Sequence, residues 1–202
     1  MQRVLIAAVA MLLAVVILYA YVDQRREGQA DLGGKGIIVE APVGGTFTLV
    51  DHTGQTVTDE TFRGKYVLLF FGFTNCPDVC PLTLDRFVQV LEMLGSDAAN
   101  IQPILVTIDP ERDTPTVLAD YVRSFDPRFL GLTGTPEQIA AMTKAYKVYA
   151  QKGKPDEDGT YTVNHSGFEY LMGPDGRNVY VFTSKTTPEQ MAEAIRIRLD
   201  QG

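Results

Sequence analysis

The chain is expected to fold as a three-layer α/β sandwich around a sheet of mixed direction, with an N-terminal hairpin and a single apolar helix ahead of the domain. Three patterns carry that expectation. Residues 66–73 and 104–108 are continuous apolar runs, as in parallel strands covered on both faces. Between and after them apolar residues recur at helical spacing, and three such segments open on Thr-Pro. Residues 168–172 and 178–182 then flank Gly173-Pro174-Asp175-Gly176 as an antiparallel hairpin, so the sheet mixes directions.

Taken in order, residues 4–22 are 19 consecutive positions without a charge or strong polar group, long enough to span a bilayer. A secretory signal peptide has a shorter apolar region and a small-x-small cleavage site, which Leu18-Tyr19-Ala20 does not offer. Residues 1–22 are therefore read as an uncleaved transmembrane anchor. Charge does not set its orientation, because Arg3 stands on one flank and Arg25 and Arg26 on the other. Residues 23–36 are polar, hold four glycines and lack periodicity, the composition of a flexible linker. The folded domain is expected over residues 37–202.

Within it, Phe47-Thr48-Leu49-Val50 and Gln55-Thr56-Val57 flank the turn Asp51-His52-Thr53-Gly54 as a hairpin. After the strand at 66–73, Leu84, Phe87, Val88, Leu91 and Leu94 mark a helix that stops at Gly95. The strand at 104–108 leads to a helix from Thr114-Pro115 to about Phe125. Thr135-Pro136-Glu137-Gln138 and Thr187-Pro188-Glu189-Gln190 each supply a capping threonine, a proline at the first helical position and a glutamine that closes a capping box. Residues 151–164, polar and carrying Gly153, Pro155 and Gly159, read as a mobile loop. Composition narrows the function: 45% hydrophobic and 21% charged residues suit one globular domain, and a formal net charge of -7 excludes nucleic-acid binding and adhesion to membranes by a basic patch.

Both cysteines of the chain lie in Asn75-Cys76-Pro77-Asp78-Val79-Cys80-Pro81, where an apolar strand hands over to a helix. A spacing of four sets their side chains one turn apart on one helix face, so both sulfurs address one metal ion or form one reacting disulfide. A helix amino terminus lowers a cysteine pKa, and Pro77 and Pro81 restrict the backbone around the pair. Asp78 is read as a favourable charge at that terminus. Two thiolates leave a metal underligated, and the nitrogen ligands on offer are His52 and His165. His52 reads as a solvated turn residue. For His165, directly before a predicted strand, spacing alone serves a ligand and a loop histidine equally. Two soft thiolates with one imidazole favour Cu(I) in a three-coordinate site, whereas Cu(II) wants a further ligand. Met93, Met142, Met172 and Met191 fall on predicted helices and a strand, where they read as core. Asp109, Arg112 and Asp113 are expected to brace the loop before Thr114; if Asp109 shares the cysteine edge, its expected role is to orient His165 or to meet the acceptor.

The motifs Phe71-Gly72-Phe73-Thr74-Asn75-Cys76-Pro77-Asp78-Val79-Cys80-Pro81, Thr107-Ile108-Asp109-Pro110-Glu111-Arg112-Asp113-Thr114-Pro115, His165-Ser166 and Tyr170-Leu171-Met172-Gly173-Pro174-Asp175-Gly176 resemble those of the Sco/SenC family, over roughly residues 42–199. The resemblance implies a thioredoxin-like fold and copper ligands Cys76, Cys80 and His165. It implies a copper metallochaperone of cytochrome c oxidase assembly, with the oxidase's copper-bearing subunit and other copper chaperones as partners. It also implies an exported domain. With no mitochondrial targeting peptide evident, the expected place is the inner membrane of a bacterium, crossed once, with the soluble domain in the periplasm. Two positions depart from the family pattern: Asn164 stands where many relatives carry aspartate, and Leu82 where an acidic residue is common.

The alternative is a thiol-disulfide oxidoreductase cycling Cys76 and Cys80 to reduce the acceptor's cysteines. Against it as sole role stand the three-residue spacing and the placing of Asn164-His165-Ser166 where thioredoxin-like enzymes set a cis-proline. A peroxidase reading rests on Thr74 and Cys76, but the threonine spacing differs from that of peroxiredoxins.

Overall fold

The computed structural model describes residues 11–21, 35–39, 41–157 and 160–201. Residues 11–21 are helical and exposed, while the rest of the expected anchor and most of the linker lie outside the described residues. Among the described residues no helix is long and apolar enough to cross a membrane, so the fold does not confirm the expected transmembrane helix.

The strands are β1 (Ile37–Val39), β2 (Thr48–Asp51), β3 (Thr56–Thr58), β4 (Tyr66–Gly72), β5 (Ile101–Thr107), β6 (Leu130–Thr133), β7 (Ala150–Lys152), β8 (Val163–His165), β9 (Glu169–Met172) and β10 (Asn178–Phe182). The helices are α1 (Val79–Leu94), α2 (Pro115–Phe125), α3 (Pro136–Ala145) and α4 (Pro188–Leu199). Eight strands form one sheet in the order β1-β10-β9-β4-β5-β6-β2-β3, with β7 and β8 as a separate ribbon. β4, β5 and β6 run parallel, and the other pairs are antiparallel.

Period-two alternation along β4 builds the three layers. Leu68 and Phe70 enter the core that α1, α2 and α4 cover; Val67, Leu69 and Phe71 enter the one that α3 covers. Each such buried side chain contributes roughly 1.5–3 kcal/mol. The three Thr-Pro segments start helices at the expected residues, each threonine hydroxyl accepting from the backbone N–H three residues on.

The pairing also decides what meets at the sheet edge. β4 and β5 end together, Gly72 opposite Thr107, while antiparallel β9 begins opposite Phe70. The loop after β4, the loop after β5 and the segment entering β9 therefore converge. β1 adds an unexpected edge strand on β10. The stretch at 151–164 departs from its reading as a loop: β7 pairs with β8, Gln151 opposite Asn164 and Ala150 opposite His165. Strands of three residues, β7 polar and wholly exposed and β8 with Val163 as its one buried apolar residue, are too short to show a hydrophobic alternation by which sequence would reveal them.

Candidate metal centre

β4 is held by the core on both faces and delivers Gly72 and buried Phe73 to the corner. Gly72 is needed there because a Cβ would stand 2.9 Å from Cys80 Sγ and 2.7 Å from the Phe70 ring, so its absence lets α1 approach the strand. The helix begins at Val79, which corrects the expectation that both cysteines lie on it: Cys80 is in its first turn, and Cys76 precedes it in the loop. They converge nonetheless, and the backbone N–H of Cys80 donates to Cys76 Sγ at 3.4 Å. Both are free thiols, Cys80 buried and Cys76 half-buried. Asp78 is the residue before the helix, but its side chain makes no capping hydrogen bond.

The third group arrives on the ribbon. His165 Nδ1 lies 3.0 Å from the Ser166 carbonyl oxygen, which can only accept, so Nδ1 carries the proton and Nε2 keeps its lone pair. That Nε2 is 3.8 Å from Cys80 Sγ. Phe70 and Phe73 meet the imidazole edge to face, with centroids 5.8 and 6.0 Å away. Cys76, Cys80 and His165 thus bring three ligand atoms within 4.8 Å of one another. Bonds of about 2.0–2.3 Å to a first-row metal place trigonal donors roughly 3.7–4.0 Å apart, so small adjustments seat one ion among them.

Burial shapes the protonation of this site. The His165 pKa is lowered, mainly by desolvation, against the pull of the Ser166 carbonyl; the ring is a neutral, ready donor at pH 7. The Cys80 thiol is pushed up, first by burial and then by its hydrogen bond with Cys76. That overturns the expectation of a helix-activated thiolate at Cys80: desolvation outweighs the helix terminus, and an incoming ion must displace a proton.

The loop after β5 supports the centre. Asp113, fully buried, accepts from Thr74 N–H at 3.0 Å, Thr74 Oγ1 at 2.6 Å and Thr107 Oγ1 at 2.6 Å, locking the cysteine loop to the neighbouring strand. The bracing role expected of Asp113 is thus observed. Asp109 does not orient His165: its carboxylate takes Arg112 Nε and the Tyr161 hydroxyl instead. His52 is also corrected, since its Nδ1 accepts from Gly131 N–H at 3.1 Å on a half-buried ring far from a solvated turn's freedom. Met142, Met172 and Met191 are core residues, whereas Met93 is 36% exposed. Asn164 is exposed in the ribbon and Leu82 is exposed beside the corner. Phe70 and Tyr161 are supports that sequence reasoning missed as parts of the site, and Tyr161 carries no local signal; Thr74 and Ser166 stand inside the quoted motifs and act there as hydrogen-bonding supports.

The SCO1/SenC family model matches residues 36–200. The mitochondrial SCO2 homolog of Bos taurus is 45% identical over 160 residues, 78% of this chain and 60% of that protein. The chain thus spans about three-fifths of that relative's length. The SCO2-like protein of Rickettsia felis is 35% identical over 195 residues, 95% of each chain. Among solved structures, Bradyrhizobium japonicum ScoI with copper bound is 46% identical, with a TM-score of 0.71 over 76% of this chain and 98% of that one.

Proposed function

The chain belongs to the SCO1/SenC family, and we propose that it is a copper metallochaperone that holds Cu(I) between Cys76, Cys80 and His165 and delivers it to the binuclear copper site of cytochrome c oxidase. The observation that carries this reading is the meeting of two thiols and a lone-pair imidazole nitrogen within 4.8 Å at the sheet edge. Soft sulfur donors select Cu(I), and three donors leave the ion open to a fourth. The copper bound by the Bradyrhizobium relative supports the same cargo here.

Transfer proceeds by ligand exchange. An acceptor thiolate adds to the ion, and His165 leaves first because it is neutral and sits on the ribbon, whereas the sulfurs are fixed to the core. Each departing sulfur then takes a proton while an acceptor thiol loses one. The raised pKa of Cys80 favours its reprotonation, so the proton competes with the ion and helps release it. The same reading takes residues 1–22 as the anchor, 23–36 as the tether and 37–202 as a domain facing the periplasm, with copper donors and the oxidase subunit as partners.

The test is anaerobic mixing of the Cu(I)-loaded protein with the metal-free copper domain of the oxidase subunit, followed by separation and metal analysis. Copper is expected in the acceptor; copper retained on this chain at equal concentrations contradicts the reading. A thiol-reductase role is favoured by one observation, the asymmetry of a half-buried Cys76 before a buried Cys80, as in dithiol redox pairs. Reduction of a disulfide-bonded acceptor by the copper-free protein tests it.

A further inference from the structure

Arg112 and Asp113 are neighbours in the chain, yet they hold opposite halves of the donor set. Asp113 grips Thr74 in the cysteine loop. Arg112 turns to the ribbon: its guanidinium lies 3.7 Å over the Tyr161 ring, and Nη1 donates to the Tyr161 carbonyl oxygen at 3.1 Å. Tyr161 in turn donates its hydroxyl to Asp109 Oδ1 at 2.9 Å, closing a triangle with the Arg112–Asp109 ion pair. The guanidinium also lies 5.9 Å from the centre of Phe73, the ring that packs edge-on against His165.

We propose that Arg112 and Tyr161 form a latch that sets the position of the His165 imidazole relative to the sulfurs and so tunes how tightly the ion is held and how readily the histidine lets go. They are positioning residues, and the proposal rests on reading His165 as a ligand. A two-stranded ribbon with three-residue strands is marginal in water, and every residue of β7 is exposed, so the ribbon depends on what ties it down. Buried Val163 supplies one tie. The Lys152–Glu111 ion pair at 2.6 Å joins largely exposed side chains and holds little. The bonds between Tyr149 and Ser166 close the ribbon on itself. The latch remains as the polar tie to the loop after β5. Its position is set by the Tyr161 and Phe73 rings, by buried Asp109 and by the Tyr161 carbonyl oxygen, a geometry that the planar guanidinium fits.

The experiment measures Cu(I) affinity of the full chain anaerobically, by competition with a chromophoric chelator, for wild type, Tyr161→Leu, Arg112→Lys, His165→Ala and the double variants with His165→Ala. Tyr161→Leu keeps the Arg112–Asp109 pair and is expected to weaken binding roughly tenfold, from the loss of ring stacking and a charge-assisted hydrogen bond. Arg112→Lys, which keeps the charge and loses the planar fork, is expected to weaken it several-fold. Neither is expected to weaken it further in the His165→Ala background. Should Tyr161→Leu not fold, Tyr161→Phe takes its place with a several-fold loss expected. Wild-type affinity in the latch variants, or an equal loss with and without His165, overturns the latch while the ligand reading stands. Unchanged affinity in His165→Ala overturns the ligand reading and the latch with it.

Discussion

The two halves of the centre are built from opposite materials. The sulfur half is part of the core: Cys80 is 0% exposed, packed with Phe70, Leu84 and Phe87, and its loop is pinned by Asp113. The imidazole half rides on a short ribbon whose outer strand is wholly exposed and which is tied to the loop after β5 chiefly by the contacts of Tyr161 with Arg112 and Asp109. An exchanging carrier needs that asymmetry, because a site rigid on all sides holds its ion and a site mobile on all sides never assembles one. The corner supplies most of the binding strength, while the ribbon adds to it and sets how readily the ion is released.

Cys80→Ser breaks the comparison most sharply. A hard oxygen replaces a soft donor, so high-affinity Cu(I) binding is expected to vanish in a chelator competition, whereas His165→Ala, which leaves both sulfurs in place, is expected to weaken it less. Stability orders the same two regions. Leu84→Ala, behind the sulfurs, is expected to lower unfolding free energy by about 2–5 kcal/mol in denaturant titrations, while Lys152→Ala on the ribbon leaves the transition unmoved. The smallest effect is a slope. Glu169, fully buried beside Arg86 of α1, has its carboxyl pushed up to about 7 by burial, against the pull of that arginine. Its raised pKa means the folded state prefers the protonated form, so its stabilising contribution is complete below pH 4.5 and is lost as pH rises through about 7. Thermal unfolding of the metal-free protein across that window is expected to show a shallower decline with rising pH in Glu169→Gln. His165, with its lowered pKa, gives the opposite slope in both proteins: its contribution is present above pH 6.5 and fades as pH falls.

Legibility followed the same divide. The helices at Pro115, Pro136 and Pro188 announce themselves because a capping threonine and a proline act within one turn of chain. The corner was legible because an apolar run ends on two cysteines. The position of Cys76 before the helix is not legible, because a spacing of four does not say where the helix starts. The thiolate expected at Cys80 failed because sequence reveals a helix terminus but not the depth at which it is buried. The ribbon is hidden because β7 is wholly exposed and β8 buries one apolar side chain, Val163, and the Arg112–Tyr161 contact because residues 49 apart carry no local trace of their pairing.

X-ray absorption at the copper edge of the anaerobically loaded full chain tests the central claim most directly. Two sulfur scatterers and one imidazole nitrogen around a three-coordinate Cu(I), with the imidazole signal absent from His165→Ala, are the predicted result. A sulfur-only shell in the wild-type protein, or a spectrum that the His165→Ala change leaves untouched, contradicts it.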